Sequence, residues 1–550
     1  MSFFKSAALF SGLVFVLSWL VPNHYYPWSS YYNDFVAFLA LSAAGVAGLP
    51  FVLRVGGATI FVVVLSFVPV IQYFFDVIFF WGDALIVACY LLAFGYSIAL
   101  GRTLRSGYGF QVFESVAWVF LVGSLMSAFI ALFQLVGIGK SIWIVDLPPG
   151  GRPFANLAQP NNLATLISCG LVSLLYLVEK KRVLPVLATF FAVGLVVGLV
   201  LTQSRTPWVG AIILLVWWLL KCKQGDLKTR FGTLFIGVFG YAVAVLSFPD
   251  IAQFFGWRAA ALYERLESVE RLEIWRQMAQ AVITGPLWGY GWNQVGAAQL
   301  EATIGVPVAM QIEHSHNLVL DILIWNGPLL GSAILLIGMV WLGGLAKDAR
   351  GTASVLGLLL VGIVLLHGML EFPLEYAYFL LPVGLVLGMV EAERGDRDFL
   401  KLPRLGGGVF IVASLAFMAW IWQEYRVVES DHRLMRFENA RIGEVRAEQS
   451  APDVLLLTQL KEFLRFARTQ ATPDMDERKL EWMRNVAYRY PFPPCIFRYA
   501  LALALNERAE QAREELLRLR LLHGEGAYQE ARLSIDAMVE QYPQLAAISH

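Results

Sequence analysis

The sequence predicts an all-α polytopic membrane protein with about thirteen transmembrane helices and a C-terminal helical domain. Three observations lead there. Of 550 residues, 58% are hydrophobic and 15% charged, and the mean hydropathy of +0.61 is above that of soluble globular chains. Crossing the ~30 Å hydrocarbon core takes roughly 17–25 apolar residues, and about thirteen apolar runs recur along the chain. From Gln423 onward the composition turns charged and amphipathic. Net charge is zero, which removes the electrostatic case for a nucleic-acid partner. The four cysteines show no metal-ligand spacing.

The apolar runs cover residues 6–21, 35–53, 58–74, 77–100, 112–136, 163–178, 183–201, 208–220, 231–248, 318–345, 352–370, 377–390 and 408–423. The first, preceded by Lys5, has no small-residue cleavage pattern after it and reads as a retained helix. The run 318–345 is too long for one straight span and contains Asn326-Gly327-Pro328, where it is expected to break. Orientation follows from Lys and Arg in the short loops. Arg54, Arg102, Arg105, Lys180–Arg182, Lys221–Arg230, Lys347, Arg350 and Arg394–Arg404 fall in one alternating set, whereas 22–34 and 371–376 carry none. The first set marks the inner side. The N-terminus is then inside, and the C-terminal domain and the regions of His24, His314, His316 and His367 are outside.

Outer segments hold the candidate chemistry. Residues 22–34, PNHYYPWSSYYND, read mainly as an interfacial aromatic belt. Loop 137–162 ends in GRPFANLAQPNN, and the long outer loop 250–316 carries Arg258, Arg265, Arg271 and Arg276. A membrane part at 1–423 and an outer helical part at 424–550 follow from this organisation. Phe497–His523 and Ala527–Tyr542 read as one tetratricopeptide-like helix pair, a helical lid or partner-docking module.

A His-Glu-x-x-His zinc helix and a clustered carboxylate pair are both absent from the sequence. His314 and His316 have no second ligand cluster of matching spacing, so no metal site is assigned. Asp396-Arg397-Asp398 reads as a solvated inner turn. Arginines of the outer loop suit an anion, because guanidinium forks match phosphate oxygens and keep their charge. Most of them also alternate with glutamates, as on an exposed helix. Arg205, in Thr202-Gln203-Ser204-Arg205-Thr206-Pro207, breaks the charge pattern between two apolar runs and is a functional candidate. His316, followed by Asn317, is a candidate general base, since an imidazole ordinarily titrates near neutral pH. The competing reading makes it a cap for the next helix.

Several patches together resemble the PglL-type protein O-oligosaccharyltransferases, which belong with O-antigen ligases and Wzy-type polymerases. They are PNHYYPW at 22–28, GRPFANLAQPNNLATL from 151, SRTPWVG at 204–210, RLEIW and GPLWGYG within 271–291, HSHNLVLDILIWNG at 314–327 and HGMLEFPLEYAYFLL at 367–381. The resemblance covers roughly 1–423. The family pattern of His, an amide or Ser, nine residues and Gly maps to His316, Asn317 and Gly327. A small residue expected three positions on is Leu330 here, with Gly331 next.

The resemblance implies a GT-C-like enzyme of the bacterial inner membrane that works on the periplasmic face without a metal or other cofactor. It would move a glycan en bloc from undecaprenyl diphosphate to a Ser or Thr hydroxyl of pilin or another periplasmic protein. His316 would be the base, and Arg205 and Arg271 would stabilise the diphosphate, with Arg265 as an alternative clamp. Gln159, Asn161, Asn162, Tyr376, Glu371 and His24 would bind substrate, and His314 would support the base. Apolar grooves would hold the lipid tail. Alternatives are an O-antigen ligase or polymerase acting on a sugar hydroxyl, a polyprenyl-glycan transporter that needs no base, and a helical scaffold.

Overall fold

The computed structural model describes residues 2–137, 141–148, 150–223, 227–257, 268–440 and 450–549. Arg258 and Arg265 lie outside the described residues. The chain opens with α1 (Ser2–Leu20), α2 (Tyr31–Gly48), strand β1 (Leu53–Val55), α3 (Gly57–Leu65), α4 (Phe67–Phe74), α5 (Trp81–Tyr108) and α6 (Gln111–Val136). It continues with α7 (Pro160–Glu179), α8 (Pro185–Thr202), α9 (Thr206–Lys221), α10 (Phe231–Phe254), α11 (Ser268–Thr284) and α12 (Val295–Ala302). Next come α13 (Leu318–Asp348), α14 (Thr352–Gly368), α15 (Ala377–Arg394), strand β2 (Leu400–Leu402) and α16 (Arg404–Asn439). The last helices are α17 (Thr458–Arg468), α18 (Glu477–Arg489), α19 (Pro493–Leu505) and α20 (Ala509–Asp536).

The chain is therefore an all-α polytopic membrane protein. Among the described residues, eight helical stretches are long and apolar enough to cross a membrane. The expected thirteen include shorter helices such as α9, of 16 residues, and α14, of 17. The apolar run 58–74 is divided at Ser66 into α3 and α4. The composition change at Gln423 interrupts no helix, because α16 continues to Asn439.

The chain divides into two compact units. The first comprises residues 1–65, 90–266 and 338–418. Its core is apolar helix against helix, with Trp19 fully buried and its ring 5.2 Å from that of Phe120. Helices α5 and α15 approach at backbone distance. A β-carbon on Gly384 would overlap the Ser97 hydroxyl, and one on Gly388 would overlap the Ile98 carbonyl. Small residues four apart on both helices are what membrane helices use to pack this closely. At one end of this unit β1 and β2 pair antiparallel, Arg54 opposite Lys401. Asp398 there accepts from Arg102 Nε at 2.9 Å and Arg54 Nη1 at 3.3 Å, and Glu391 accepts from Arg102 Nη1 at 3.3 Å. The Asp396–Asp398 turn is thus an ion-pair centre and not simply solvated, because the buried Arg102 needs compensating carboxylates.

The second unit comprises residues 66–89, 267–337 and 419–550. Here the C-terminal helices share one hydrophobic core with Phe80, Ala297 and Leu300; Met483, Ile496, Leu503 and Ile535 lie in the same cluster. Glu424, near the middle of α16, accepts the amides of Leu455, Leu456 and Leu457 at 3.0, 2.8 and 3.1 Å. Helix α20 is interrupted at Gly524 (φ 85°, ψ 176°), giving two shorter helical pieces.

Candidate active site

In the second unit a ladder of buried amides carries order from α11, the helix of Arg271, to the histidine loop. Gln277 Oε1 accepts from Gln299 Nε2 at 3.1 Å. Gln299 in turn donates to the Met310 carbonyl at 2.7 Å and accepts the Ile312 amide at 2.9 Å. The loop is thereby delivered in a fixed position at Glu313. Ser315 donates its amide to Asp321 Oδ1 at 2.8 Å and its hydroxyl to the Asn317 carbonyl at 2.9 Å. Asn317 Oδ1 accepts the amides of Val319 and Leu320 at 3.0 and 3.3 Å, making Asn317 the N-cap of α13. The cap is therefore Asn317 and not His316. His316 itself adopts a left-handed backbone, φ 56°, uncommon for a residue with a side chain. Such strain persists only where neighbours over-determine it, and the bonds of Ser315, Asn317 and Asp321 do so.

His314 is partly buried. Burial, then the nearby charges of His316 and Arg489, push its imidazole down to about 3. It is neutral at physiological pH. Beyond the loop, α13 breaks at Gly327 (φ 73°, ψ 171°) as the sequence predicts. The second half then returns close to the first: a β-carbon on Gly331 would lie 2.9 Å from the Ile322 carbonyl. Gly331 is thus the small residue the packing needs, while Leu330 is 37% exposed.

In the first unit, three separate segments converge at one end of the bundle. Glu371, just past α14 and 3% exposed, accepts from Asn161 Nδ2 at 3.0 Å and Gln159 Nε2 at 3.3 Å. Asn161 Oδ1 accepts the Ser204 hydroxyl at 2.7 Å. Next to Ser204 stands Arg205, exposed at the N-cap of α9. The helix N-terminus adds its own partial positive charge to that of the guanidinium. Behind this cluster the GRPFANLA stretch is braced. Gln134 Oε1 accepts the amides of Phe154 and Ala155, and His24 Nε2 donates to the Asn156 carbonyl at 2.8 Å. Burial keeps the His24 imidazole below its ordinary value. Asn162 is 1% exposed and turned inward, bonded to Tyr378 and Tyr376. Burial likewise lifts the Tyr376 hydroxyl above its usual range.

The same unit holds a partly open apolar cavity of about 570 Å³. Its walls include Leu171, Val196, Leu214, Val238 and Leu366. One end reaches Thr206 and Pro207, next to Arg205, and the lining also includes Lys228 and Arg230. Along α7 it is lined from Ala164 to Val178, 14 residues on, or roughly 21 Å at 1.5 Å per residue.

Of the residues expected from sequence, Gln159, Asn161 and Glu371 are brought together beside Arg205. His24, Asn162 and Tyr376 lie behind them in supporting positions. His314 and His316 share the loop, and the ladder joins them to the helix of Arg271. Among the described residues, no group of three or more His, Cys, Asp or Glu is arranged to hold a metal ion. Sequence reasoning missed Ser204, Asp321, Asp83 and Arg489. Asp321 had a local signal, an acidic residue in the first turn five positions after His316; Asp83 and Arg489 had none, because their pairing is long-range.

Three family models match the chain: protein glycosylation ligase at 153–178, O-antigen ligase at 190–335, and the C-terminal part of virulence factor membrane-bound polymerases at 355–536. A general O-oligosaccharyltransferase of Acinetobacter baylyi is 28% identical over 526 residues, covering 94% of this chain and 92% of that protein. A ComP-specific O-oligosaccharyltransferase of the same organism is 26% identical over 456 residues, covering 82% and 83% respectively. The histidine loop and the Arg205 cluster lie inside these matched stretches, and the chain is similar to the PglL-type O-oligosaccharyltransferases of the O-antigen ligase superfamily.

Proposed function

We propose that this protein is a glycosyltransferase that moves an oligosaccharide en bloc from undecaprenyl diphosphate to Ser or Thr hydroxyls of pilin or another periplasmic protein. The observation that carries this reading is the relation, along 94% of the chain, to a general O-oligosaccharyltransferase. In the proposed setting the chain crosses the bacterial inner membrane about thirteen times. The histidine loop, Arg205 and the helical domain at 424–550 then lie on the periplasmic side.

The chemistry follows from the groups present. A Ser or Thr hydroxyl is a weak nucleophile, so His316 accepts its proton as the oxygen attacks the anomeric carbon. The bond from that carbon to the diphosphate breaks, and its electron pair stays on the leaving oxygen. Arg205 and Arg271 stabilise the charge that develops there; Arg265 remains an alternative. Gln159, Asn161 and Glu371 orient the polar part of the donor, with His24, Asn162 and Tyr376 fixing their frame. The apolar cavity next to Arg205 takes the polyprenyl chain, whose length exceeds its ~21 Å wall.

A second reading, ligation or polymerisation on a sugar hydroxyl, is favoured by the O-antigen ligase and polymerase matches. One experiment separates the two. The protein in lipid nanodiscs is mixed with a polyprenyl-diphosphate oligosaccharide and a candidate pilin, and the intact acceptor mass is measured. A gain of one glycan mass on the pilin, absent with His316→Asn, is the expected result. No gain, with extension of the lipid-linked glycan, would overturn the protein-acceptor reading.

A further inference from the structure

Arg489 ends α18, and its guanidinium grips Asp83, in the first turn of α5, through two parallel bonds: Nε to Oδ2 at 2.9 Å and Nη2 to Oδ1 at 2.8 Å. The Asp83 side chain is 1% exposed and that of Arg489 is 19% exposed. The stretch before Asp83 is pinned from two further directions. Gln294, at the start of α12, accepts the Phe79 amide at 2.9 Å and donates to the Val77 carbonyl at 2.6 Å. Gly82 donates its amide to Thr458 Oγ1 at 2.8 Å. Gly296 of α12 packs against Pro491, two residues past Arg489. The guanidinium also stands 4.9 Å from the centre of the Tyr490 ring. The same helix α12 holds the approach to the histidine loop, since its Gln299 binds the Met310 carbonyl and the Ile312 amide, and the Arg489 charge acts on both Glu313 and His314.

A buried ion pair is a weak source of net stability, because desolvation cancels most of the attraction. The pair is better explained by what it braces: the segment before Asp83 and Pro491 both pack on α12, and α12 holds the segment that delivers the histidines. We propose that Arg489 and Asp83 are positioning residues for glycan transfer, and that their ion pair makes the C-terminal helices a working part of the catalytic centre. This rests on the reading of His316 as the base. The charged groups acting on His314 are His316 on its own loop and Arg489 from α18, and Arg489 in turn interacts with Asp83, Tyr490 and Glu313. Burial first, then the charges of His316 and Arg489, disfavour a proton on His314, so that one imidazole of the loop, His316, takes up the hydroxyl proton.

The test uses full-length protein in nanodiscs. A neutral pair, Asp83→Asn with Arg489→Gln, keeps polar contact and approximate shape but removes the charge. Expected are an unfolding temperature within a few degrees of the native one, kcat at least 10-fold lower, and donor KM within threefold. The acid limb of the kcat–pH profile should gain a second ionisation, and Arg489→Lys should recover part of kcat. A readout independent of turnover is carbethoxylation of His314 and His316 followed by peptide mapping, expected to change several-fold in rate. Native kcat, a native-shaped pH profile and native labelling in the neutral pair would overturn the proposal. So would a loss of kcat that tracks only the unfolded fraction. Full activity in His316→Asn would instead sink the assignment of the base, leaving the labelling result to speak for the ion pair.

Discussion

Gly327→Ala tests how the break in α13 holds the histidine loop. Pro328 removes a helical N–H donor and restricts the residue before it to extended ψ. Gly327 accordingly has φ 73° and ψ 171°, a region open essentially to glycine alone. A β-carbon there would overlap the Leu287 carbonyl oxygen and lie 2.6 Å from its carbon and 2.7 Å from Gly289 N. The backbone conformation costs about 1–3 kcal/mol for alanine. Forcing a methyl into backbone atoms costs about 1–3 kcal/mol more. The total, about 2–6 kcal/mol, corresponds to a rise of roughly 25-fold or more in local opening, at about 1.4 kcal/mol per factor of ten. The strain has nowhere to relax except the GPLWGYG turn, where Tyr290 and Gly291 donate their amides to Ile324 and Trp325 at 2.8 and 3.2 Å. Hydrogen exchange read by mass spectrometry should therefore accelerate in peptides covering 285–292 and 318–326, together with a loss of transfer. Gly338→Ala is the control on the same helix, since its β-carbon would meet nothing within 4 Å. Native exchange and native turnover in Gly327→Ala would refute the reasoning.

His316→Asn keeps a residue that tolerates the left-handed backbone, so it should fold normally yet lose 10²–10⁴-fold in kcat, on the order expected for a general base; a normal circular dichroism spectrum with residual activity above a tenth of native would count against the role. His314 is held near 3 in the fold, below the ordinary ~6.5 of an unfolded histidine. The stability it confers is then complete above about pH 6.5 and declines as pH falls toward 3, while the unfolded chain binds the extra proton; the unfolding temperature should fall between pH 7.5 and 5, and less steeply in His314→Asn. Glu371→Gln removes the charged acceptor shared by Gln159 and Asn161, bonds worth about 1.5–3 kcal/mol each at a charged group, and should raise donor KM at least 10-fold in initial-rate assays. Leu214→Trp narrows the apolar cavity and should raise KM for a long-chain polyprenyl donor about 10-fold, but not for a donor with two isoprene units; equal effects on both would place the lipid elsewhere.

How far the sequence could be read depended on the range of the interaction concerned. The break at Asn326-Gly327-Pro328 was legible because proline and glycine act on their own backbone. The convergence of Gln159, Asn161 and Glu371 was legible only as separate patches of a resemblance, since the bonds joining them span more than 200 residues. Arg489 and Asp83 are 406 residues apart. Aspartate in the first turn of a helix is read locally as a favourable end charge, which conceals a distant partner. The change of composition at Gln423 gave a clear boundary in chemistry but not in architecture. Helix α16 runs through it, and Phe80, Ala297 and Leu300 share a core with helices far beyond it. An amphipathic face in the sequence shows that something will cover it, not what.

The backbone of His316 supports the proposal that its imidazole is the base. Local rules favour glycine or asparagine at φ 56°, and Asn317 is the very next residue. A purely structural turn would gain by exchanging their places, so the cost of about 1–3 kcal/mol is borne at one chosen side chain. Several bonds secure the turn: Ser315 binds Asp321 and the Asn317 carbonyl, while Asn317 binds two amides of α13. Bonds of this kind return about 0.5–1.5 kcal/mol each, enough together to offset the strain. His314, two residues before His316, is kept neutral beside Arg489. In the proposed mechanism the two histidines of one short loop thus have different duties, and the difference is set by the backbone of one and the neighbours of the other.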